Sequence, residues 1–239
     1  MTHSHVQPLP WDSSWLGFPV ARFDAGPADD AEGVQAAIAQ CRATGIRLLY
    51  LVLNPLAVAA AAAARASGAW LVDEKLTYEL ALAEAESTLN VLPTVHLARG
   101  LAFTPALQQL ARSSGEYSRF RHDPRIGLPA FNELYDQWLR RVLAQGQVWQ
   151  ATVAGEAAGM LAMDGSSTTA TIELLAVAPQ ARAHGLGKLL VQAARWEARQ
   201  RGYRTLQVVT QGANRPGRQL YEQGGFRLRH VGHWYHLWL

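Results

Sequence analysis

The chain has 239 residues, of which 49% are hydrophobic and 17% charged, and its formal net charge is +3. This length allows one large domain or two small ones with a sizeable core. Only two lysines occur, Lys75 and Lys188, and no Lys/Arg-rich run exists, which argues against a nucleic-acid partner. The single cysteine, Cys41, excludes an intrachain disulfide and a cysteine zinc cluster.

Targeting and metal-binding signals are not found in the sequence. No charged stretch followed by an apolar segment opens the chain, so no signal peptide is predicted. The alanine-rich run from Ala57 to Ala66 is too short to span a bilayer. The histidines have no ligand spacing. We therefore expect a cytoplasmic protein with no membrane partner and no metal, and a homodimer stays possible.

Residues 1–92 are predicted to form a small α/β lobe, because strand and helix patterns alternate there. Extended segments are expected at Gly17–Phe23, Ile46–Leu53 and Ala69–Leu82. Helices are expected at Ala28–Thr44 and in the alanine-rich run, which Pro55 would open. Glu84–Leu92 is interpreted as a linker.

Residues 93–239 are predicted to form a second, larger domain. A strand at His96–Gly100 precedes a helix capped by Thr104, a loop over Ser118–Pro129 and a helix over Ala130–Leu143. Strands follow at Val148–Val153, Ala157–Met163 and Ala170–Val177, with turns at Gly155 and Asp164-Gly165. A helix to Gln200, a strand at Thr205–Thr210, a helix at Pro216–Gln223 and a strand at Phe226–Leu239 complete the chain.

The most informative segment lies between the strand that ends at Val177 and the helix that ends at Gln200. It contains Arg182, Ala183, His184, Gly185, Leu186, Gly187 and Lys188, here called the glycine loop. Glycines let backbone N–H groups approach a ligand, because no Cβ intervenes. The first N–H groups of the following helix have no helical partner and carry partial positive charge. The segment therefore predicts a diphosphate site, although it is neither a Walker loop nor a full Rossmann fingerprint.

The order Arg-x-x-Gly-x-Gly between a strand and a helix resembles the pyrophosphate loop of the GCN5-related N-acetyltransferases (GNAT). The order of elements from Val95 to Leu239 resembles that family as well. The resemblance implies the GNAT fold, an α/β arrangement in which helices flank a mixed, mostly antiparallel twisted sheet. It also implies acetyl-coenzyme A as co-substrate, with its diphosphate at the glycine loop. Backbone groups of Leu175, Ala176 and Val177 would pair with the pantetheine arm, and Asn214 would either bridge to the coenzyme or cap a helix.

Two residues are candidates for catalysis. Tyr221 matches a tyrosine that family members often have near the coenzyme sulfur, where a phenol can protonate the departing thiolate; the alternative is a core aromatic. Glu173 stands where many members have a carboxylate that acts as a base or holds water. It either supplies a base or pairs with a neighbouring arginine, and strand alternation predicts that it shares a face with Leu175 and Val177. Because Cys41 lies on an apolar helical face, direct transfer is favoured over an acetyl-cysteine intermediate.

A closer resemblance covers almost the whole chain. It concerns GNAT enzymes that acetylate the 4-amino group of dTDP-linked 4-amino-4,6-dideoxy sugars in bacterial surface-polysaccharide synthesis. It rests on Trp11–Gly17, Ser118–Arg121, Leu134–Leu139 and Thr210–Asn214. It implies a nucleotide-sugar acceptor, with Arg119 and Arg121 on phosphates and Phe120 stacked on the base. A solvated loop, another amine (antibiotic, polyamine or protein) and a non-catalytic acyl-coenzyme A-binding module stay open as alternatives.

Overall fold

The computed structural model describes residues 6–26, 30–82, 89, 92–99 and 101–239. The strands are β1 (Val6–Pro8), β2 (Val20–Asp24), β3 (Leu48–Leu53), β4 (Trp70–Ala81), β5 (Val95–Ala98), β6 (Val148–Val153), β7 (Glu156–Ser166), β8 (Thr169–Val177), β9 (Thr205–Gln211) and β10 (Arg227–Trp238). The helices are α1 (Pro10–Leu16), α2 (Ala31–Ala43), α3 (Val58–Ala66), α4 (Pro105–Ser114), α5 (Arg119–His122), α6 (Gly127–Ala144), α7 (Leu186–Gln200) and α8 (Arg215–Gln223).

The strands form one mixed sheet in the order β1-β2-β3-β10-β4-β9-β8-β7-β6-β5. Only β2 with β3 and β8 with β9 pair in parallel. The predicted fold class, a mostly antiparallel sheet flanked by helices, is confirmed. Because β10 lies between β3 and β4, strands from both sides of the predicted boundary at residues 92 and 93 join the same sheet. The division into residues 1–92 and 93–239 stays a prediction.

Apolar side chains pack against the sheet in three buried clusters. One lies under α2 and α3 and includes Ile38 and the fully buried thiol of Cys41. A second lies under α4 and α6 and includes Leu107 and Leu134. The third lies under α7 and α8 and includes Leu189. These clusters fix the helices to the sheet, since burying apolar surface is the main favourable contribution to folding.

The sheet opens between β8 and β9. Their parallel pairing ends at Ile172 and Val208, although β8 continues to Val177 and β9 to Gln211. At the next residue of β8, on the side that faces β7, the register shifts between the pairs Met163–Ile172 and Ala162–Leu174. Glu173 is thus an extra residue at a β-bulge, a feature that bends a strand and redirects side chains. The opening leaves backbone groups near the end of β8 without a partner from β9.

Three predicted elements differ from the structure. Pro55 lies in a turn before α3, where Asn54 Oδ1 accepts a hydrogen bond from the Leu56 N–H at 2.8 Å. The predicted loop Ser118–Pro129 contains the short helix α5 and the start of α6. Asp164-Gly165 is not a turn, because β7 continues to Ser166.

Each difference has a local physical reason. The Asn54 side chain completes a turn of its own before the helix begins. Gly165 is needed for packing, since a Cβ there would lie 2.4 Å from the Tyr203 ring. The helix α1 was not predicted. Ala28, Gly100 and most of Glu84–Leu92 lie outside the described residues.

Candidate active site

The glycine loop connects the end of β8 to α7. Gly185 precedes the helix with φ +82°, and Ala183 also has a positive φ, of +65°. The first bond of the helix runs from the Leu189 N–H to the Gly185 carbonyl at 3.1 Å. The N–H groups of Leu186, Gly187 and Lys188 therefore precede the hydrogen-bonded part of the helix and can face an anion.

A cavity of about 450 Å³ lies beside this loop and is here called the loop cavity. Its wall includes the end of β8, the glycine loop and the start of α8: Leu175, Ala176, Val177, Arg182, Ala183, Gly185, Leu186, Gly187, Lys188, Asn214, Leu220 and Tyr221. Of the residues predicted to bind the coenzyme, only His184 does not line this cavity; it is exposed. The structure therefore brings the other predicted coenzyme residues together around one space.

Two loop residues also have structural roles. Arg182 donates from Nε to the Val177 carbonyl at 3.1 Å, which fixes the loop to the end of β8. A Cβ at Gly187 would lie 3.3 Å from Leu220 Cδ2 on α8. Glycine at this position therefore also permits the close approach of α7 and α8.

A second cavity, of about 390 Å³, is here called the charged cavity. Its polar wall includes Asp12, Asp73, Lys75, Ser118, Arg119, Tyr135, Trp138, Glu173, Gln211 and Asn214. Four residues line both cavities: Ser114, Leu175, Asn214 and Tyr221. The two cavities therefore meet where the sheet opens, which is the geometry needed for a group to pass from one bound molecule to another.

Tyr221 lies at this junction and is 5% exposed. Its ring packs against Tyr78 and Phe226, with ring centroids 6.3 and 5.7 Å away. Its hydroxyl makes no hydrogen bond to any residue in the described ranges, and burial raises its pKa above the ordinary value. The side chain is thus both a packed aromatic and a protonated hydroxyl at the junction, so the two interpretations from the sequence are compatible.

Asn214 caps α8. Its Oδ1 accepts from the Gly217 N–H at 3.0 Å, and its Nδ2 donates to Thr210 Oγ1 at 3.0 Å. These contacts use the amide within the protein, which corresponds to the helix-capping alternative. Asn214 thereby fixes the start of the helix that carries Tyr221.

Glu173 faces α6. Its Oε2 accepts from Trp138 Nε1 at 2.8 Å and from Arg141 at 2.5 Å. Leu175 and Val177, in contrast, pack against the cluster under α7. The predicted common face is therefore wrong, because the bulge at Glu173 interrupts the alternation of the strand. The arginine pairing considered from the sequence is present.

Arg119 is enclosed by aromatic rings. Its guanidinium carbon lies 4.0 Å from the Phe120 ring centroid, 4.4 Å from that of Trp234 and 4.7 Å from that of Tyr50. Arg119 is 8% exposed and lines the charged cavity. Such an arginine suits recognition of an anionic or oxygen-rich group.

The neighbours of Arg119 differ from their predicted roles. Phe120 packs edge-to-face on Trp15 at 5.4 Å and holds the Arg119 guanidinium, so its ring is not free to stack on a base. Arg121 is exposed, lies 6.0 Å from the Phe131 ring centroid and does not line the charged cavity. Of the three predicted acceptor residues, the structure brings Arg119 and Phe120 to the cavity and leaves Arg121 outside.

Sequence reasoning missed the contribution of the N-terminal residues to this cavity. Asp12 on α1 and Asp73 and Lys75 on β4 all line it. The signal that could have found them is the pair of charged residues at alternate positions of β4, Asp73 and Lys75, which share one face of the strand. Charged side chains on a face that the fold buries indicate a partner or a function.

The fold and the site define the class of protein. A mixed sheet that opens between two parallel strands, beside a glycine loop at a helix N-terminus, is the architecture of an acetyl-coenzyme A-dependent N-acetyltransferase. The model of the acetyltransferase (GNAT) family matches residues 106–226, slightly more than half of the chain. The chain therefore belongs to the GNAT family, whose members use acetyl-coenzyme A as co-substrate.

The chain is also similar to individual proteins of known sequence or structure. It is 30% identical over 138 residues to the spore coat polysaccharide biosynthesis protein SpsD of Bacillus subtilis, covering 56% of this chain and 47% of that protein. The chain thus matches about half of the length of this curated relative. A GCN5-related N-acetyltransferase from Sphaerobacter thermophilus matches with TM-score 0.65 and 14% identity, over 98% of this chain and 76% of the other.

A functionally unknown conserved protein from Staphylococcus epidermidis matches with TM-score 0.66 and 10% identity, over 99% of this chain and 92% of the other. These structural likenesses concern the fold. In the described part of the chain, no helix is long and apolar enough to cross a membrane. The same ranges contain no group of three or more side chains suited to hold a metal ion.

Proposed function

We propose that the protein transfers an acetyl group from acetyl-coenzyme A directly to the amine of a nucleotide-linked amino sugar. The observation that carries the proposal is the junction of the loop cavity and the charged cavity at Tyr221. A donor in one cavity and an acceptor in the other would meet in a ternary complex. Cys41 is fully buried under α2 and α3, away from this junction, which favours direct transfer over a cysteine intermediate.

The loop cavity fits the donor. The helix N-terminus and the positive-φ residues Ala183 and Gly185 present backbone N–H groups to a diphosphate. Backbone groups near the end of β8 that have no partner on β9 can bond to the amides of a pantetheine arm, as in strand addition. The thioester would then lie beside Tyr221.

The proposed role of Tyr221 is to protonate the leaving thiolate. Burial keeps the pKa of this phenol above its ordinary value, so the hydroxyl carries its proton at neutral pH. A proton donor at this point assists the breaking of the carbon–sulfur bond. Asn214 positions the tyrosine by capping α8.

The charged cavity supports a polar, partly anionic acceptor. The Arg119 guanidinium, held by three aromatic rings, and Lys75 both line it. The similarity to SpsD supports a sugar-linked acceptor. The resemblance of Trp11–Gly17, Ser118–Arg121 and Thr210–Asn214 to dTDP-fucosamine (dTDP-4-amino-4,6-dideoxygalactose) acetyltransferases supports a dTDP-linked 4-amino-4,6-dideoxy sugar in particular.

Acetyl transfer measured against a panel of amines tests this proposal. The panel contains a dTDP-linked 4-amino-4,6-dideoxy sugar, the same amino sugar without the nucleotide, an aminoglycoside, a polyamine and a lysine peptide. We expect the nucleotide sugar to have the highest kcat/KM. Losing two charge-assisted contacts to the nucleotide diphosphate, each worth roughly 1.5–3 kcal/mol, corresponds to about 10² to 10⁴ in kcat/KM.

Two other outcomes would change the conclusion. Equal rates on the free and nucleotide-linked sugars would contradict the nucleotide-sugar acceptor. Binding of acetyl-coenzyme A without transfer to any amine of the panel would contradict the enzymatic proposal and favour a non-catalytic acyl-coenzyme A-binding module.

A further inference from the structure

Three charged side chains line the charged cavity without pairing with one another: Asp73, Lys75 and Arg119. None of the ion pairs between described residues includes any of the three. Charged groups buried without partners are costly, and they are found where a ligand supplies the missing partners. The cavity is therefore expected to bind a molecule that carries both a cationic group and anionic or oxygen-rich groups.

Asp73 is the clearest of these unpaired groups. It is 7% exposed, and within the described residues its buried Oδ2 has no hydrogen-bond partner. A buried acceptor oxygen without a donor costs free energy in the absence of a ligand. A ligand with an N–H donor would remove that cost.

The two basic side chains contact an aromatic ring rather than carboxylates. Lys75 Nζ lies 3.9 Å from the centroid of the Trp234 ring, and the Arg119 guanidinium carbon lies 4.4 Å from the same ring. Burial and the nearby Arg119 hold the pKa of Lys75 well below its usual value, so an anionic ligand would favour its protonated form. Burial raises the pKa of Asp73 to about 6, although Lys75 and Arg119 act in the opposite direction. Asp73 is therefore anionic at neutral pH but has an appreciable affinity for a proton.

The position of Asp73 in the sheet places it near the junction of the cavities. Lys75 lies two residues after Asp73 on β4 and pairs with Gln211 of β9. The carbonyl of the intervening Glu74 accepts from the Gly212 N–H at 2.7 Å. Asp73 thus lies beside the end of β9, close to the segment that leads to Asn214, and Asn214 lines both cavities.

We propose that Asp73 binds the amine of the acceptor and takes its first proton, while Lys75 and Arg119 hold the anionic or oxygen-rich part of the same molecule. This inference rests on the proposed function and names the acceptor-binding residues of that site. Asp73 lies on β4, in the N-terminal part of the chain, so this part supplies a catalytic residue to the GNAT site.

The proton and bond balance is complete. An acceptor amine enters as an ammonium, and Asp73 takes one proton to give the neutral amine. The amine nitrogen attacks the thioester carbon, forming the C–N bond and a tetrahedral intermediate. The C–S bond breaks as the thiolate takes the Tyr221 proton, and the intermediate's nitrogen returns a proton to the phenolate. Asp73 then releases its proton to solvent, leaving an amide and free coenzyme A thiol.

Glu173 is less suited to this role. Its Oε2 already accepts from Trp138 and Arg141. A carboxylate that holds these two donors is occupied, whereas Asp73 has an oxygen that faces no donor in the described structure. The two carboxylates line the same cavity, so the comparison between them is direct.

The experiment compares Asp73→Asn with wild type in acetyl transfer to the preferred amine of the panel. We expect kcat/KM for the acceptor to fall by about 10²-fold or more, as for a lost general base, while coenzyme A affinity is unchanged. Asp73→Glu should recover part of the activity. The matched control is Glu74→Gln, which removes a carboxylate from the adjacent position of β4, where the side chain lines neither cavity; its activity should stay close to wild type.

The pH profile gives a readout that a merely structural role would not produce. Several charged and titratable groups act on Asp73 or share its cavity: Lys75 and Glu74 on β4, Arg119 on α5, Tyr135 on α6, Asp12 on α1, Glu173 on β8 and Tyr221 on α8. The wild-type kcat/KM should fall as the pH drops through about 6, where Asp73 becomes protonated. That acid limb should be absent in Asp73→Asn.

Stability provides a second, independent readout. Because Asp73→Asn removes a buried charge, the variant should unfold at the same temperature as wild type or higher. A loss of activity together with lower stability and weaker coenzyme binding would overturn the assignment, as would an unchanged kcat/KM or an unchanged acid limb. If wild type acetylates no amine, the proposed function itself fails; if wild type is active and Asp73→Asn is equally active, only this inference fails.

Discussion

The loop cavity lies beside a segment of distinctive backbone conformation, whereas the charged cavity is lined by charged and aromatic side chains. The first depends on a helix N-terminus, on glycine conformations and on the open end of one strand. The second combines Asp12, Asp73, Arg119, Trp138 and Glu173 from five separate segments. The comparison teaches that most of the donor cavity follows from one strand–loop–helix segment, completed by parts of α4 and α8, whereas recognition of a particular acceptor depends on residues from many distant segments.

Tyr221 belongs to both cavities, and its hydroxyl gives the largest effect we expect. Tyr221→Phe should lower kcat by about 10²-fold, the usual contribution of a positioned proton donor, because only the proton is lost. The ring contacts with Tyr78 and Phe226 persist in the variant. Calorimetry should therefore find unchanged coenzyme A affinity and unfolding temperature. An unchanged kcat, with chemistry rate-limiting, would make Tyr221 a packing residue only.

Arg119 and Arg121 provide a matched test of the charged cavity. They are two residues apart on α5, but only Arg119 lines the cavity. Arg119→Ala should lower kcat/KM for the nucleotide sugar by about tenfold to a hundredfold, the range for a lost charge-assisted hydrogen bond. Arg121→Ala should leave kcat/KM close to wild type.

The coenzyme affinity of both arginine variants should be unchanged, since neither residue lines the loop cavity. A larger effect for Arg121→Ala than for Arg119→Ala would contradict the placement of the acceptor. Thermal unfolding serves as the control for Arg119, because its guanidinium contacts three rings.

Gly185 tests the loop cavity in the same way. Gly185→Val places a β-branched residue at φ +82°, where left-handed backbone costs about 1–2 kcal/mol for a residue with a Cβ. Among the described residues other than its chain neighbours and its own helix, the nearest atom to the added Cβ is Leu92 Cδ1 at 4.0 Å, so the change acts on loop conformation rather than on core packing. We expect coenzyme A affinity to fall by about tenfold, measured by calorimetry. Unchanged affinity would argue against diphosphate binding at this loop.

The last prediction concerns stability rather than activity, at a residue that lines neither cavity. His236 is buried, and its Nδ1 lies 2.6 Å from Asp123 Oδ2. Burial lowers the pKa of His236 to about 4 from an ordinary value of 6.5. Burial also pushes the pKa of Asp123 upward, but hydrogen bonds from His236, Trp238 and the Arg125 N–H outweigh it and hold that pKa below its usual range.

Both shifts make the folded protein sensitive to acid. Between pH 6.5 and 4 the unfolded state binds the extra proton at His236, so stability is complete above pH 6.5 and declines as the pH falls. The His236 contribution to this loss is about 3 kcal/mol at most. Denaturant unfolding at several pH values should detect the loss in wild type and in the exposed-site control His230→Gln. A smaller pH dependence is expected in His236→Gln, and an equal one would contradict the assignment.

The same comparison explains what the sequence could predict. The glycine loop and the strand before it are adjacent in sequence and follow local rules, and Tyr221 matches a motif of the family, so these parts of the loop cavity were predictable. The role of Arg119 was predictable only in part, because the three rings around it come from different strands and helices. Asp73 was missed because the role of a charged residue in a strand depends on which elements pack against that strand, and the sequence does not show these.

Two errors have the same origin. The predicted face of Glu173 was wrong because a bulge in the pairing of β8 with β7 interrupts the alternation of side chains. Such a bulge depends on pairing with a strand that is distant in the sequence. Gly165 was taken for a turn residue, whereas it makes room for Tyr203, which is distant along the chain. Glycine in a strand marks either a turn or a close contact, and only the tertiary structure distinguishes the two.

The central claim is that donor and acceptor occupy the loop cavity and the charged cavity and meet at Tyr221. A crystal structure with a bisubstrate analogue, in which the acceptor amine is joined through an acetyl bridge to the sulfur of coenzyme A, tests it most directly. We predict the diphosphate at the glycine loop, the sulfur within hydrogen-bond distance of the Tyr221 hydroxyl, and the acceptor part beside Asp73 and Arg119. A coenzyme bound away from the glycine loop, or an acceptor part outside the charged cavity, would contradict the account.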